Sequence, residues 1–171
     1  MLKAGHARNW RNWNRYGVRS GVKARAVKTH EIQMAHRLVG NSDVCSRIHG
    51  HSYKFEIAVE RFSHGIGERG MVMDFSDIKA LFCGWLDDNW DHRLLLWEDD
   101  PLLEHDNLFQ KIESCAPGSV VTLPGNPTAE NMAEYLLTNI FPVLLEEKNI
   151  PVVVAGIRVY ETSQCVVECM R

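Results

Sequence analysis

The stretch His49-Gly50-His51-Ser52-Tyr53-Lys54-Phe55-Glu56-Ile57-Ala58-Val59-Glu60 decides how this chain is read. His49, His51, Tyr53, Phe55, Ile57 and Val59 alternate with Gly50, Ser52, Lys54, Glu56, Ala58 and Glu60. Side chains two apart point the same way along a strand, so the spacing predicts a half-buried strand whose apolar face ends in two imidazoles. Just upstream, from Thr29, the period is again two: His30, Ile32, Met34 and His36 share a face. A polar loop, Gly40 to Arg47, joins the two runs. Paired as an antiparallel hairpin, they bring His36 to the same face as His49 and His51.

Three imidazoles suit a divalent ion such as zinc, and three protein ligands leave a fourth position for water or substrate, the pattern of a catalytic rather than a structural site. Imidazoles also accept iron, nickel or copper. Cys45 lies in the loop just before the histidine strand. It is a fourth ligand, a nucleophile or base with its thiolate favoured by a nearby cation, or a loop thiol with no task; the spacing leaves all three open.

Working outward, 171 residues predict one domain, and 45% hydrophobic with 24% charged residues is ordinary for a soluble globular protein. A net charge of −3 argues against a generally nucleic-acid-binding surface. No apolar run approaches the roughly 18–20 residues that span a bilayer, and the N-terminus lacks the apolar core of a secretory signal. Five cysteines without a paired spacing read as reduced thiols, which places the protein in the cytoplasm. Residues 1–27 differ in composition. Eight basic side chains and no acidic one precede Glu31, with Trp10, Trp13 and Tyr16 among them. That segment reads as a basic N-terminal extension, either a subunit-contacting tail or an arm that stacks on RNA bases, ahead of a single domain over 28–171.

Downstream, Gly65, Gly67 and Gly70 mark a turn. Ile78, Leu81, Phe82 and Trp85 predict a helix from Phe75 to about Leu86, with Asp74 as its N-cap. Residues 98–118 read as a long loop with at most one helical turn, and Ser119–Leu123 as a short strand. Thr128 caps a second helix whose buried side carries Met132, Leu136 and Ile140. Val153, Ala155, Ile157, Val159 and Glu161 alternate inward on a further strand, and Val166 to Met170 forms the last. The order β-β-α-α-β-β predicts an α+β fold with an antiparallel sheet and helices on one face.

Two further features bear on chemistry. Asp91-His92 is a carboxylate–imidazole pair, in which the acid can fix the tautomer of the base; the alternative is a solvated loop pair. Glu161 breaks an apolar face, and an inward carboxylate is costly unless paired, through an internal ion pair or through a ligand with a guanidine-like edge offering two donors. Cys165 and Cys169 lack a matching second pair and read as core or surface thiols. His6, His30, His64 and His105 read as surface histidines.

With these residues in place, the chain resembles the 6-pyruvoyl-tetrahydropterin synthase / 6-carboxy-tetrahydropterin synthase family from about Glu31 to its end. The resemblance rests on Ala35-His36-Arg37-Leu38, Cys-x-x-x-His-Gly-His at 45–51, Gly70-Met-Val-Met-Asp74-Phe75, Asp91-His92, Pro127-Thr-Ala-Glu-Asn131 and Glu161-Thr162. It implies a T-fold subunit that trimerises into a barrel, with two trimers stacked as a homohexamer and active sites between subunits. It implies zinc on His36, His49 and His51, Cys45 as general base or proton shuttle with Asp91 and His92 as its acid–base partners, and Glu161 as anchor of the pyrimidine edge of a pterin. Thr162, Thr128 and Glu130 would be further contacts with that substrate.

The activity so implied is a lyase reaction on 7,8-dihydroneopterin triphosphate. In the carboxy branch, favoured here by the compact Cys-x-x-x-His-Gly-His, triphosphate is eliminated and the side chain is cleaved. The products are acetaldehyde and 6-carboxy-5,6,7,8-tetrahydropterin, which leads to queuosine and other 7-deazaguanines. In the pyruvoyl branch the side chain survives and leads to tetrahydrobiopterin. An aldolase-like activity on dihydroneopterin and a non-catalytic zinc- or pterin-binding module are the remaining readings.

Overall fold

The computed structural model describes residues 23–41, 44–62, 69–104 and 108–171. Most of the 1–27 extension, the glycines at 65 and 67, and His6, His64 and His105 lie outside the described residues. The chain runs β1 (Ala26–His36), β2 (His49–Arg61), a helical run α1 over 75–89, β3 (Leu94–Trp97), α2 (Leu108–Cys115), β4 (Val120–Leu123), a second long helical run α3 over 129–147, β5 (Val152–Tyr160) and β6 (Val166–Met170). The expected β-β-α-α-β-β framework of an α+β protein is present, with β3, β4 and α2 set between its two long helices.

One six-stranded sheet has the order β4-β3-β1-β2-β5-β6. β1, β2, β5 and β6 pair antiparallel, while β3 joins β1 and β4 in parallel. β3 is the run Leu-Leu-Leu-Trp, apolar without alternation, which periodicity alone does not assign. α2 occupies part of the stretch expected as a loop. Its Phe109 is buried, and Glu113 accepts from the N–H groups of Gly118 and Val120, which ties the short helix to β4.

The two long helices cover one face of the sheet. Tyr53, Phe55, Ile57 and Val59 of β2 are fully buried and share a cluster with Ile78, Phe82 and Leu86 of α1 and Met132, Leu136, Phe141 and Leu145 of α3. Phe82 and Phe141 join the two helices, with ring centroids 4.5 Å apart. At roughly 1.5–3 kcal/mol for each large apolar side chain withdrawn from water, this face dominates the stability of the domain. On the opposite face Glu56 meets Arg158, which also pairs with Glu168.

Both long helices contain one wide, π-helical turn, Lys79–Cys83 and Leu136–Ile140. In α3 the wide turn leads to Pro142, which has no N–H to donate to a carbonyl four residues back. It also advances the buried stripe by one residue, so Phe141 is buried where Ile140 was expected. The caps are as read: Asp74 accepts from the Ser76 N–H and Thr128 from the Asn131 N–H.

A β-bulge sets the direction of Glu161. The β2–β5 register runs Ala58 opposite Gly156 but Val59 opposite Val154, leaving Ala155 without a partner. Val152 and Val154 face the core on one side of the bulge, and Ile157 and Val159 on the other. The expected inward set is therefore corrected at Val153, which is half-buried between the inward Val152 and Val154, while Ala155 is buried within the bulge itself. From Ile157 onward the parity is the expected one, and Glu161 keeps the face of the histidines. Gly156 beside the bulge has no room for a Cβ, which would fall against Met170 Sδ and 3.0 Å from the Cys169 carbonyl.

Candidate metal centre and active site

The register of the first hairpin places His36 opposite His49 and Met34 opposite His51, so all three imidazoles stand at one end of the buried face. Their nitrogens and a carboxylate oxygen of Glu161 lie within 4.8 Å of one another, a group that could hold a metal ion. The Nε2 atoms of His36 and His49 are 3.1 Å apart. Two nitrogens bound tetrahedrally to one zinc at 2.0–2.1 Å would stand about 3.4 Å apart, so the spacing needs little adjustment.

The outer nitrogens explain why the inner ones of His36 and His49 carry no proton. His36 Nδ1 donates to the Pro127 carbonyl at 2.7 Å, and His49 Nδ1 donates to the Arg47 carbonyl at 2.7 Å. A carbonyl only accepts, so each Nδ1 carries the proton and each Nε2 presents a lone pair. His51 Nε2 is buried and has no aligned hydrogen-bond partner among the described residues. Glu161 Oε1 faces it at 3.4 Å, a charge contact without hydrogen-bond alignment. A buried ring nitrogen left unsatisfied in a group of donors is what a metal site looks like without its ion, so these residues fit a cation.

His36 is 1% exposed. Burial holds its pKa below the ordinary value, and the Pro127 carbonyl offsets this only in part. The neutral ring is the form that binds a metal. Glu161 thus stands inside the donor group, and Cys45 does not. Cys45 occupies the turn Val44–Ser46, half-buried, with its carbonyl accepting from the Leu38 N–H.

Asp91 and His92 form the pair their adjacency left uncertain, with His92 Nδ1 2.8 Å from Asp91 Oδ2. The pair is docked on the edge of β1. Asp91 Oδ1 accepts from the Gln33 N–H, and the His92 N–H donates to the Gln33 carbonyl. Burial pushes the Asp91 pKa up, but its hydrogen bonds from Gln33 and His92 outweigh this and hold it below the ordinary value. His92 has a backbone φ of 58°, a left-handed conformation uncommon for a residue with a Cβ. Its side chain is 77% exposed, and the pair lies outside the histidine group of its own chain.

The remaining expected contacts, Thr128, Glu130 and Thr162, make backbone contacts. Thr128 Oγ1 is committed to its cap, one residue after the carbonyl that holds His36. Glu130 is exposed in the first turn of α3, where its carbonyl receives Cys169 Sγ. Thr162 Oγ1 accepts from the N–H groups of Gln164 and Cys165, shaping the turn after Glu161. His30, expected at the surface, is mostly covered and lies 2.6 Å from Asp87.

Two residues of the site were not singled out by sequence reasoning. Tyr53 continues the face of His49 and His51, and alternation marks it only as core. Its fully buried hydroxyl lies 3.1 Å from His36 Nε2 and 3.3 Å from Nδ1. Burial first, then the charges of Glu161 and Cys45, push its pKa far up, so the hydroxyl keeps its proton. The other residue is Asn126, whose side chain pairs with the backbone of Val39. No local pattern announces a contact across 87 residues.

Comparison with known proteins agrees with this geometry. The family model described as 6-pyruvoyl tetrahydropterin synthase matches residues 25–171. The chain is 41% identical over 138 residues to a 6-carboxy-5,6,7,8-tetrahydropterin synthase of Rickettsia bellii, covering 81% of this chain and 94% of that one. It is 30% identical over 140 residues to the protein of the same name from Haemophilus influenzae, covering 79% and 90%. In fold it is similar to an uncharacterized protein from Wolinella succinogenes, with a TM-score of 0.69 and 22% identity over 88% of this chain and 99% of that one. It is similar also to the Caenorhabditis elegans 6-pyruvoyl tetrahydropterin synthase, with a TM-score of 0.57 and 21% identity over 88% and 96%.

Proposed function

The chain belongs to the 6-pyruvoyl tetrahydropterin synthase family, and from that premise we propose that it is a zinc-dependent 6-carboxy-5,6,7,8-tetrahydropterin synthase. Its substrate is 7,8-dihydroneopterin triphosphate, and with water it yields the carboxypterin, acetaldehyde and triphosphate, a step toward 7-deazaguanines such as queuosine. Relatives at 30–41% identity that carry this name support the carboxy branch over the pyruvoyl one. The observation that carries the reading is the group of three imidazoles and Glu161 on one sheet face.

His36, His49 and His51 are the ligands of the zinc, which when bound acts as a Lewis acid toward the side-chain hydroxyls of the substrate. Glu161 faces the same space and anchors the amino-pyrimidine edge of the pterin, accepting from two N–H groups. Cys45 is the base that takes protons from side-chain carbons, and His92, its tautomer set by Asp91, returns and removes protons at the oxygen side. Thr128, Glu130 and Thr162 shape the pocket rim.

The exposure of His92 and its place beside β1 just ahead of β3, outside its own chain's histidine group, support a site completed by a neighbouring subunit. We place the chain in a homohexamer of two stacked trimers, with the basic segment before β1 as an extension outside the domain; because Ala26 and Val27 pair with β2, the domain starts slightly before the expected boundary at 28. Five free cysteines fit a cytoplasmic setting, and no helix among the described residues is long and apolar enough to cross a membrane.

Incubation of the zinc-loaded protein with 7,8-dihydroneopterin triphosphate tests the reading. The expected products are acetaldehyde and the carboxypterin. Triphosphate release with a retained three-carbon side chain would move the protein to the pyruvoyl branch. No turnover in a zinc-replete sample would leave a binding module and sink the proposal.

A further inference from the structure

The proton on His36 Nδ1 goes to the carbonyl of Pro127, so the position of that carbonyl sets the tautomer and rotation of the ring. Proline has no N–H through which its own segment could be tied down, and the residue before it does that work. Asn126 Oδ1 accepts from the Val39 N–H at 2.7 Å, and Asn126 Nδ2 donates to the Val39 carbonyl at 3.0 Å. One side-chain amide thus satisfies both backbone groups of one residue, as a neighbouring strand would, and does so three residues beyond His36.

The backbone carbonyl of Asn126 is held in turn. It accepts from the Thr128 N–H and from Asn131 Nδ2, each at 2.8 Å. Gly125 leaves space for that Asn131 amide, which a Cβ would approach to 3.1 Å. The segment before α3 is therefore locked at both ends. Its side chain grips the exit of β1, its carbonyl is fixed to the helix it precedes, and the next carbonyl in the chain points at His36.

We infer that Asn126 is a positioning residue of the histidine site: by pairing with Val39 it holds the Pro127 carbonyl against His36 Nδ1 and so aims His36 Nε2 at the cation. The inference rests on the reading of His36, His49 and His51 as metal ligands. Residues that orient a metal-binding imidazole from behind are worth roughly 10–100-fold in metal affinity.

The test compares wild-type protein with Asn126→Ala and Asn126→Asp, stripped of metal and titrated with zinc against a chelator, with the absorption spectrum of the cobalt(II) form recorded beside it. Asn126→Asp keeps the acceptor for the Val39 N–H but turns an oxygen toward the Val39 carbonyl; it carries the test should Asn126→Ala not fold. Both variants are expected to bind zinc about 10–100-fold more weakly and to shift the cobalt spectrum. Ile78→Val, a core change in α1, serves as a control that lowers thermal stability and leaves both readouts in place. Unchanged affinity and spectrum in the Asn126 variants overturn the inference while the site stands. Wild-type protein that takes up no zinc overturns the site itself and this inference with it.

Discussion

The Nε2 atoms of His36 and His49 face each other at 3.1 Å, and neither can donate to the other, because each ring spends its proton on a backbone carbonyl behind it. Two lone pairs at that distance need a cation or a proton between them. Burial holds the His36 pKa below its ordinary value, which makes a proton the poorer choice near neutrality.

That shift has a sign in stability. The unfolded chain takes up a proton at His36 near pH 6.5, and the folded protein does so only at lower pH. Between these limits the unfolded state binds more protons, so the His36 contribution is complete above about pH 6.5 and lost as pH falls below it. Metal-free protein should unfold at lower denaturant concentration at pH 5.5 than at 7.5, and His36→Gln should flatten that difference. Equal midpoints at both pH values in the parent would refute the assignment.

In the proposed function, Cys45 and His92 serve one reaction from two neighbouring chains. Cys45→Ala should retain zinc and lose about 10²–10⁴ in kcat. His92→Asn should do likewise, since asparagine tolerates the left-handed backbone that His92 adopts. Mixing the two variants and letting subunits exchange should restore activity at about a quarter of the sites, those pairing an intact Cys45 with an intact His92 from the neighbour. Assays of the mixed oligomers that show no recovery would place both groups in a single subunit's site.

Tyr53 keeps its proton at any working pH and lies against His36. When His36 Nε2 binds the cation, the hydroxyl must donate elsewhere, and Glu161 is the nearby carboxylate that its pKa registers. Tyr53→Phe should leave zinc content unchanged and weaken substrate binding, raising KM roughly tenfold for one hydrogen bond to a charged group. Steady-state kinetics with metal analysis on the same sample decide this; an unaltered KM would remove the hydroxyl from the site.

Gly156→Ala tests the bulge. The new methyl meets Met170 and the Cys169 carbonyl, and overpacking of this kind costs about 1–3 kcal/mol. Thermal denaturation should show a lower midpoint, with activity falling as well, because Glu161 directly follows the same strand. A midpoint equal to that of the parent would mean that β6 shifts freely to admit the methyl.

Alternation in residues 49–59 was enough to read β2, the hairpin and the convergence of His36, His49 and His51, because a strand's period of two assigns faces without any partner. The caps at Asp74 and Thr128 were legible for a similar reason: each involves groups two or three residues apart. β3 was not, since an apolar run such as Leu94–Trp97 becomes a strand only when β1 and β4 flank it. The bulge at Ala155 escaped as well, because an unpaired residue is defined by the register of β2 against β5.

The order of amino acids determined on its own which three histidines could meet a metal, since residue type and strand parity are local properties. Tertiary structure alone decided which carbonyl takes the proton of His36, that Tyr53 and Glu161 rather than Cys45 stand against the imidazoles, and that Asp91-His92 docks beside β1 with the imidazole turned outward. Each of those contacts joins groups brought together by the pairing of strands and the docking of helices. No pattern within either segment encodes their distance.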